Sequence, residues 1–587
     1  MIHYDGLARS NAAVETIIDP LGYGYLNTGN LGSITGADAS LTYTYDGSFL
    51  MSQTWSGAIA GDVAWTYDAN LDLATETVKG STVAFGYDGD GLLTDAGAIH
   101  LSRNGAGVTD ATTLGAATDQ VSLNEFAETM EYSAAHAGAT VLSFQYNRDT
   151  VGRITGITEH APDGDTHVGY TYDAAGRLQD AFYPAVNIHY DYDANGNRIA
   201  RHLITSGGTV TETASYDAQD RLINYEGTLY TYTANGELRT KSDNSGTTTY
   251  DYDALGNLRH VTLSNGTRID YLVDGQNRRV GKKVNGVLVN AWLYSGQLRI
   301  IAELDGEGRL VSRFVYGTRS NVPDYMIRDG ITYRILSDHL GSPRVIFNVS
   351  NGAVVATMRY DEFGNVGSEP NAGFVPFGFA GGLYDHLTGL TRFGARDYDP
   401  RVGRWTTTDP LRFHGGDSNL YRYVIGDPVN RSDSYGLDAL TDNPQVRQIF
   451  WDLWQSSLAV GTQGGEMSEW LLAYSIPFHP NSVLSCTRWP YSNQYRHSQW
   501  PKNKPWPRNY IAQAHTHPTE AGADPTPSHD TPNNDGDDVA ASQIHAPVYT
   551  ISRKGIWKID PSGNITQEAG PEWTQGLSKK GSCGCVK

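Results

Sequence analysis

The sequence predicts a mainly β protein, a spiralling sheet of repeated hairpins, followed by a small α/β domain. A tyrosine–aspartate phrase recurs through residues 1–437 and then stops, and the remaining chain carries the run His515-Thr516-His517-Pro518 with aspartates downstream. Glycine (65 residues) and tyrosine (36 residues) are abundant. Because aromatic and Gly-rich sequence is typical of short strands and turns, we expect a long repetitive β region and a separate C-terminal domain.

The repeat has a period of about 20 residues, which indicates a repeat architecture. Before each tyrosine the sequence alternates, as in Thr247–Tyr252, and this predicts a strand with one buried face. Asp-Ala-x-Gly then supplies turn chemistry, because Asp accepts backbone hydrogen bonds and Gly adopts positive φ. Each unit is therefore predicted to be a β-hairpin that is stabilised by stacking on its neighbours. Independent β-sandwich domains would need a longer period. The spaced tyrosines are Tyr172, Tyr192, Tyr216, Tyr232, Tyr252 and Tyr271.

These phrases resemble the YD repeats of RHS proteins, the family that includes the C components of bacterial toxin complexes. Two later runs, Ser337–Pro343 and Gly381–Pro400, resemble the core signature of that family. The resemblance covers residues 40–437 and implies a hollow β-shell around a C-terminal toxin. It implies three regions: a YD-repeat shell, an RHS core with an autoproteolytic plug, and a toxin domain. Their predicted bounds are 1–330, 331–437 and 438–587.

Two aspartates near the end of the repeat region, Asp409 and Asp433, resemble the paired Asp-Pro-x-Gly signature of the family. The first copy lacks the glycine and the second lacks the proline. Two nearby carboxyl groups can share a proton, so that one acts as acid and the other as base. The resemblance implies that this pair cuts the chain after Leu437, with Arg404 supporting the local charge. The alternative is a purely structural role for both aspartates as buried plug residues.

The C-terminal region contains candidate metal ligands. Residues 511–517 alternate as a strand does, so that His515 and His517 project from one face and can ligate one ion. An acidic cluster downstream precedes a predicted helix, and residues 547–559 indicate a hairpin. Upstream, Glu466 precedes an apolar strand. A catalytic zinc uses three protein ligands and an open position for water, and a nearby Glu can accept the water's proton.

The order Glu, His-x-His-Pro, Asp over residues 466–559 resembles the JAMM/MPN metalloproteases. That family has a small β-sheet flanked by helices and hydrolyses peptide or isopeptide bonds with Zn²⁺. The resemblance implies that His515, His517 and Asp537 bind Zn²⁺. It further implies that Glu466 is the base and that Asn534 takes the oxyanion role in which the family has Ser. Two further aspartates, Asp535 and Asp538, are rivals of Asp537 as the third ligand.

The net charge of −21 is shared unevenly along the chain. From residue 438 onward, 12 Lys and Arg stand against 14 Asp and Glu, about −2, which leaves about −19 on residues 1–437. Such a balance argues against binding to a phosphate backbone. It also disfavours the first alternative function, a container with a metal-dependent nuclease as cargo. The second alternative is a non-enzymatic cell-surface protein, in which substitution of His517 changes no activity.

The sequence contains no apolar run long enough to span a membrane and no visible signal peptide. We therefore expect export by a dedicated secretion system. The expected partners are a cognate immunity protein, a possible second shell subunit and a protein substrate in a target cell, with no nucleic acid among them.

Overall fold

The computed structural model describes residues 21–437, apart from 106, 125–127 and 413–416, and beyond them the backbone of six strands between 468 and 569. The chain divides into two compact units. The first consists of residues 1–122 and 129–438 with the short stretch 477–480, and the second comprises most of the C-terminal region. Each unit is described by itself.

The first unit is dominated by a 33-stranded sheet. Every described pairing between consecutive strands of this sheet is antiparallel. Its first strands are β1 (Gly22–Tyr25), β2 (Leu31–Thr35), β3 (Ala39–Asp46), β4 (Phe49–Gly57), β5 (Gly61–Tyr67), β6 (Leu73–Val78), β7 (Ser81–Tyr87), β8 (Leu93–Ala96), β9 (Ile99–Arg103), β10 (Thr109–Leu114) and β11 (Ala117–Leu123).

The middle strands carry the regular repeat. They are β12 (Thr129–His136), β13 (Ala139–Arg148), β14 (Ile154–His160), β15 (Thr166–Tyr172), β16 (Leu178–Phe182), β17 (Asn187–Tyr192), β18 (Arg198–Thr205), β19 (Gly208–Tyr216), β20 (Leu222–Tyr225), β21 (Thr228–Tyr232) and β22 (Leu238–Asp243).

The sheet continues to residue 357. The predicted boundary between shell and core at residue 330 stays a prediction. Its last strands are β23 (Gly246–Tyr252), β24 (Leu258–Thr262), β25 (Arg268–Val273), β26 (Arg279–Val284), β27 (Val287–Ser295), β28 (Arg299–Leu304), β29 (Leu310–Val315), β30 (Tyr325–Arg328), β31 (Ile331–Ser337), β32 (Pro343–Asn348) and β33 (Val354–Thr357).

The turn after β15 shows why the repeat folds as predicted. The Oδ1 atom of Asp173 accepts hydrogen bonds from the N–H groups of Ala175 and Arg177, each at 2.9 Å. Arg177 Nε donates to Asp173 Oδ2 at 2.6 Å, and the guanidinium carbon lies 4.7 Å from the ring centroid of Tyr192 in the next hairpin. The Tyr192 hydroxyl donates to Leu178 O at 2.7 Å. The repeated residues therefore cap their own turn and tie one hairpin to the next, and the predicted hairpin is confirmed.

The early strands of the sheet also contact its late strands. Ala39 forms a parallel bridge with Asp274, and Trp55 Nε1 donates to Asp274 Oδ2 at 3.1 Å. Buried side chains from both ends of the sheet, among them Leu41 and Leu293, belong to one apolar cluster. Because apolar burial is the main favourable term in folding, this cluster holds strands that are far apart in sequence in one core.

Short strands after β33 build the part of the unit that carries Asp409 and Asp433. Two strands form a ribbon, β34 (Arg359–Tyr360) and β35 (Val366–Ser368). Four more form a separate antiparallel sheet in chain order: β36 (Leu383–Asp385), β37 (Leu390–Phe393), β38 (Arg396–Asp399) and β39 (Arg404–Trp405). The described residues of this region include 3₁₀ turns at Phe379–Gly381 and Val424–Gly426.

The second unit contains a six-stranded sheet in the order β41-β40-β42-β43-β44-β45. Its β42–β43 pair is parallel, and the other pairs are antiparallel. The predicted strand around His515 and the predicted hairpin after residue 547 are confirmed. The strands are β40 (Ser468–Tyr474), β41 (Val483–Arg488), β42 (Tyr510–Thr516), β43 (Val548–Ser552), β44 (Gly555–Ile559) and β45 (Ile565–Ala569).

Candidate self-cleavage site

Arg396, the first residue of β38, is the centre of the candidate site. Its side chain is about 1% exposed, and its guanidinium carbon lies 4.1 Å from the ring centroid of Trp405 on the neighbouring strand β39. The register that pairs Tyr398 with Trp405 and Phe393 with Arg396 sets these side chains in place. A buried arginine needs acidic or carbonyl partners, because an unpaired charge is costly away from water.

Those partners are the two predicted aspartates. Arg396 Nη2 lies 3.0 Å from Asp409 Oδ2 and 3.1 Å from Asp433 Oδ2, so that one nitrogen bridges both carboxyl groups. Both aspartates are buried. The positive charge of the guanidinium offsets the repulsion that two buried carboxylates would otherwise exert on each other. The predicted proximity of Asp409 and Asp433 is therefore found, and the bridging residue is Arg396.

The second aspartate also holds the end of the described segment. Asp433 Oδ1 accepts a hydrogen bond from the N–H of Leu437 at 3.0 Å. Arg396 Nε donates to Gly436 O at 2.7 Å. The residue at which the predicted cut occurs is thus fixed by the same carboxyl group that the arginine bridges.

Two glycines allow this segment to lie directly on the strand that carries Arg396. Ala395 N donates to Tyr435 O at 2.9 Å. Gly394 has φ of +38°, and a Cβ atom there would lie 2.2 Å from Tyr435 O. Gly436 has φ of +66°, and a Cβ atom there would lie 2.5 Å from Phe393 O. Only glycine tolerates both the positive φ and such an approach, so the backbone contact depends on it.

The first aspartate sits in a turn directly after β39. Asp409 Oδ1 accepts a hydrogen bond from the N–H of Leu411 at 2.7 Å, and Asp409 N donates to Leu420 O at 3.0 Å. The same returning segment is anchored on β39, because Trp405 N donates to Tyr421 O at 2.9 Å. Asp409 is therefore positioned by backbone hydrogen bonds on both sides.

Arg404 does not take the place that the sequence suggested. Its Nη1 donates to Asn197 Oδ1 at 2.7 Å, its Nη2 donates to Asp220 O, and its guanidinium carbon lies 4.6 Å from the ring centroid of Tyr216. These contacts tie β39 to the repeat hairpins. Sequence reasoning missed Arg396, although it lies inside the core signature, because no spacing rule distinguishes one buried arginine from the other.

A carboxyl pair of this kind can perform general acid–base chemistry on an adjacent peptide bond. In that chemistry one carboxyl group donates a proton to the leaving amine while the other accepts a proton from water. Both carboxyl groups contact Arg396, and one of them, Asp433, also accepts the N–H of Leu437.

Most of the predicted zinc-site residues, Glu466, His517, Asn534 and Asp537, lie outside the described residues, as do the rival ligands Asp535 and Asp538. His515 lies in β42, and its side chain is not among those described. In the backbone register, His515 pairs with Ser468 of β40 and with Thr550 of β43. The ligand set therefore stays a prediction.

A model of the teneurin YD-shell family matches residues 18–429, which is most of the chain. The chain belongs to the teneurin YD-shell family. The match confirms the expectation that residues 18–429 form a YD-repeat shell of the RHS type. The described residues of this YD-shell chain include no helix that is both long and apolar enough to cross a membrane.

Several curated relatives share the YD-shell sequence. Teneurin-3 of Danio rerio is 28% identical over 304 residues, which cover 49% of this chain and 11% of the teneurin. Teneurin-3 of Mus musculus is 31% identical over 308 residues, with the same 49% and 11%. The tRNA3(Ser)-specific nuclease WapA of Bacillus spizizenii is 28% identical over 257 residues, 42% of this chain and 11% of the nuclease. This chain therefore spans 11% of the length of each of these relatives.

Solved structures of toxin-complex proteins share the fold. A TcdB2-TccC3-TEV crystal structure matches with a TM-score of 0.59 at 18% identity, covering 70% of this chain and 24% of that chain. The Tc holotoxin pore of Photorhabdus luminescens with the TccC3-D651A mutation matches with a TM-score of 0.60 at 17% identity, covering 74% and 25%. At such identity the likeness establishes the YD-shell fold alone.

Proposed function

We propose that this YD-shell protein cuts its own backbone after Leu437 and so separates residues 438–587 from the shell. The observation that supports the proposal is the double contact of Arg396 Nη2 with Asp409 and Asp433 at 3.0 and 3.1 Å. Arg334 also contacts two buried carboxylates, Asp119 and Asp324, but the Arg396 pair differs because Asp433 accepts the N–H of Leu437 as well. Here two buried carboxyl groups share one cation beside the predicted cleavage point.

The proposed reaction is hydrolysis of the peptide bond between Leu437 and the following residue. One carboxylate of the pair accepts a proton from a water molecule, whose oxygen attacks the carbonyl carbon of Leu437. The reaction requires the other carboxyl group in its protonated form, from which it donates a proton to the departing amide nitrogen. The bonds and protons balance without a cofactor: the pair exchanges one proton for another and keeps its total charge, and Arg396 holds the two groups together.

The intact mass of the purified full-length chain tests this proposal. We expect the wild-type chain of 64.0 kDa to be replaced by two fragments that meet between residues 437 and 438. Asp409→Asn and Asp433→Asn should each leave the chain intact. The matched control is Asp417→Asn, which removes a carboxylate 2.7 Å from Arg422 and should leave cleavage unchanged. An intact wild-type chain would assign both aspartates a structural role.

We further propose that the separated region is a zinc-dependent peptidase or isopeptidase. Its support is the pairing of Ser468 with His515, which brings the start of β40 beside the end of β42. In the sequence, Glu466 stands two residues before Ser468, and His517 stands two residues after His515. In sequence, the predicted base therefore precedes β40, and one of the two predicted histidine ligands follows the end of β42.

Zn²⁺ bound by His515, His517 and Asp537 would supply a Lewis acid and an activated water. Imidazole and carboxylate are donors that suit this ion. The role proposed for Glu466 is to accept a proton from that water, and the role proposed for Asn534 is to donate a hydrogen bond to the developing oxyanion.

Zinc content and peptidase activity of the full-length chain, measured together, test the C-terminal proposal. His515→Ala should lose both the zinc and the activity, whereas Glu466→Gln should keep the zinc and lose the activity. His545→Ala is the matched control and should keep both. Degradation of tRNA in place of protein would favour the nuclease alternative, which the similarity to WapA keeps open.

The wider setting is proposed from the same family relationship. The shell would hold residues 438–587 until cleavage, a second shell subunit would complete the enclosure, and a dedicated system would export the assembly. A cognate immunity protein would protect the producing cell, and the substrate would be a protein in a target cell. Co-purification of the cleaved C-terminal fragment with the shell at neutral pH is the expected result for an enclosed cargo.

A further inference from the structure

A cavity of about 190 Å³ adjoins the candidate cleavage site. Its lining includes Arg279 of β26 and Arg392 of β37 together with Tyr435 and Leu437 from the segment that holds the predicted cleavage point. The cavity therefore brings two buried arginines to the residue at which cleavage would create a new chain end.

Arg279 and Arg392 share one direct carboxylate partner. Arg279 Nη2 lies 2.9 Å from Asp397 Oδ1, and Arg392 Nη1 lies 3.0 Å from Asp397 Oδ2, so that two cations share one carboxylate. The second terminal nitrogen of Arg392 donates to Asn257 Oδ1 at 2.7 Å, which adds no charge. The third arginine of the lining, Arg278, has its own partner in Asp274 at 2.6 Å. Asp253 also attracts Arg392, and Asp385 also attracts Arg279, so the two arginines lie among several carboxylates but share only one as a direct partner.

The two arginines also retain unused hydrogen-bond donors. Among the described side chains, Arg279 Nε and Arg392 Nε are buried without an acceptor. Both residues are at least nine-tenths buried, with exposures of 4% and 5%. A buried N–H without an acceptor costs free energy. An anion in the adjacent cavity would supply acceptors for these N–H groups.

We propose that this cavity binds a carboxylate, and that the carboxylate is the one that cleavage creates at Leu437. The inference rests on the proposed function. Hydrolysis adds the water oxygen to the Leu437 carbonyl carbon and leaves the nitrogen of the next residue as an amine, so the new group is the α-carboxylate of Leu437. Arg279 and Arg392 would then hold the chain end in the shell and keep it away from the amine.

The proposal predicts opposite responses of uncleaved and cleaved protein to a free carboxylate. In the uncleaved chain the cavity is open to acetate, whereas in the cleaved chain the terminus of Leu437 already fills it. The probe is sodium acetate, titrated against sodium chloride at constant ionic strength, with the melting temperature of the full-length protein as readout. We expect acetate to raise the melting temperature of Asp409→Asn by about 1–2 °C and to leave cleaved wild-type protein unchanged.

Each result decides between specific alternatives. A rise in both proteins would identify a site for free anions and overturn the assignment to the Leu437 terminus. A rise in neither would overturn the carboxylate site itself. If the wild-type chain stays intact by mass, the proposed cleavage fails and the terminus assignment fails with it, while the response of Asp409→Asn still decides whether the cavity takes a carboxylate. Arg392→Gln in the Asp409→Asn background should abolish the rise, and the comparison of uncleaved with cleaved protein stands even where that variant does not fold.

Discussion

The carboxyl groups of Asp409 and Asp433 both contact the same nitrogen of Arg396, with Oδ2–Nη2 distances of 3.0 and 3.1 Å. Asp409 follows β39, whereas Asp433 belongs to the segment that returns to β38, so the contact closes a loop of the chain around one buried cation. Each carboxyl group keeps its other oxygen for a backbone N–H, Leu411 in one case and Leu437 in the other. Both carboxyl groups are thus held in place, and Asp433 contacts the segment that the pair is proposed to cut.

Arg396 and Arg404 provide a matched pair of substitutions. Arg396→Gln should prevent cleavage, because it leaves the two buried carboxyl groups without their shared cation, and it should destabilise the shell by about 3–5 kcal/mol. Arg404→Gln should also destabilise the shell, since it removes the contacts to Asn197 and Asp220, but it should leave cleavage intact. Intact mass and urea denaturation of both variants check this. Loss of cleavage in Arg404→Gln but not in Arg396→Gln would show that Arg404 supports the charge of the aspartate pair, as the sequence suggested.

The glycines at the contact provide a test that leaves every charged group in place. Gly436→Ala should slow or abolish cleavage and lower the stability by more than about 2 kcal/mol, because the new Cβ meets Phe393 O at 2.5 Å and φ is +66°. The control is Gly389→Ala, with φ of +71° and no atom within 4 Å of the new Cβ. That variant should cost only the conformational penalty of about 1–2 kcal/mol and cleave normally. Equal cleavage by both variants would show that the backbone contact is not needed.

The repeat hairpins are predictable from sequence because their interactions are local or one repeat apart. Asp173 accepts a hydrogen bond from a residue four positions later, and the Tyr192 hydroxyl donates to Leu178 O in the preceding strand. The residues that form each hairpin therefore lie within one repeat or its neighbour. The bridging role of Arg396 depends on the pairing of β38 with β39 and on the return of residues 433–437. Such non-local contacts leave no local sequence pattern. The sequence therefore could not distinguish Arg396 from Arg404, which lies on the next strand and was predicted to support the charge of the aspartate pair. The resemblance to a known signature identified the aspartates, whereas the arginine needed the structure.

The tyrosine that gives the repeat its period should contribute directly to stability. Tyr192→Phe removes the hydroxyl that donates to Leu178 O at 2.7 Å and leaves a carbonyl in the hairpin with one acceptor site unused. We expect a loss of about 1 kcal/mol in the free energy of unfolding, measured by urea denaturation. Tyr25→Phe is the control, because Tyr25 is 67% exposed and its hydroxyl can bond to water. Equal free energies of unfolding for the two variants would show that the hydroxyl of Tyr192 does not contribute to stability and that only its ring does.

His339 should make the stability of the shell depend on pH. Its Nε2 donates to Val429 O at 2.7 Å, and its Nδ1 is buried without a partner among the described residues. Burial lowers the pKa of His339 below its usual range, and the nearby Asp338 only partly opposes this effect. As the pH falls through about 6.5, His339 becomes protonated in the unfolded chain but stays neutral in the folded chain. The free energy of unfolding therefore falls by up to about 1.4 kcal/mol per pH unit, until the pH reaches the lower pKa of the folded state.

The measurement is the free energy of unfolding between pH 7.5 and about 5. In the wild-type protein we expect this free energy to become smaller as the pH is lowered. His339→Gln cannot be protonated, so it should lose this part of the slope, although it lowers the stability at every pH by disturbing the contact with Val429. His160→Gln is the control, because the His160 side chain is 54% exposed and should contribute little. A slope that is identical in the wild type and in His339→Gln would place the pH dependence elsewhere. A reduced slope would identify His339 as a source of the acid sensitivity of the shell.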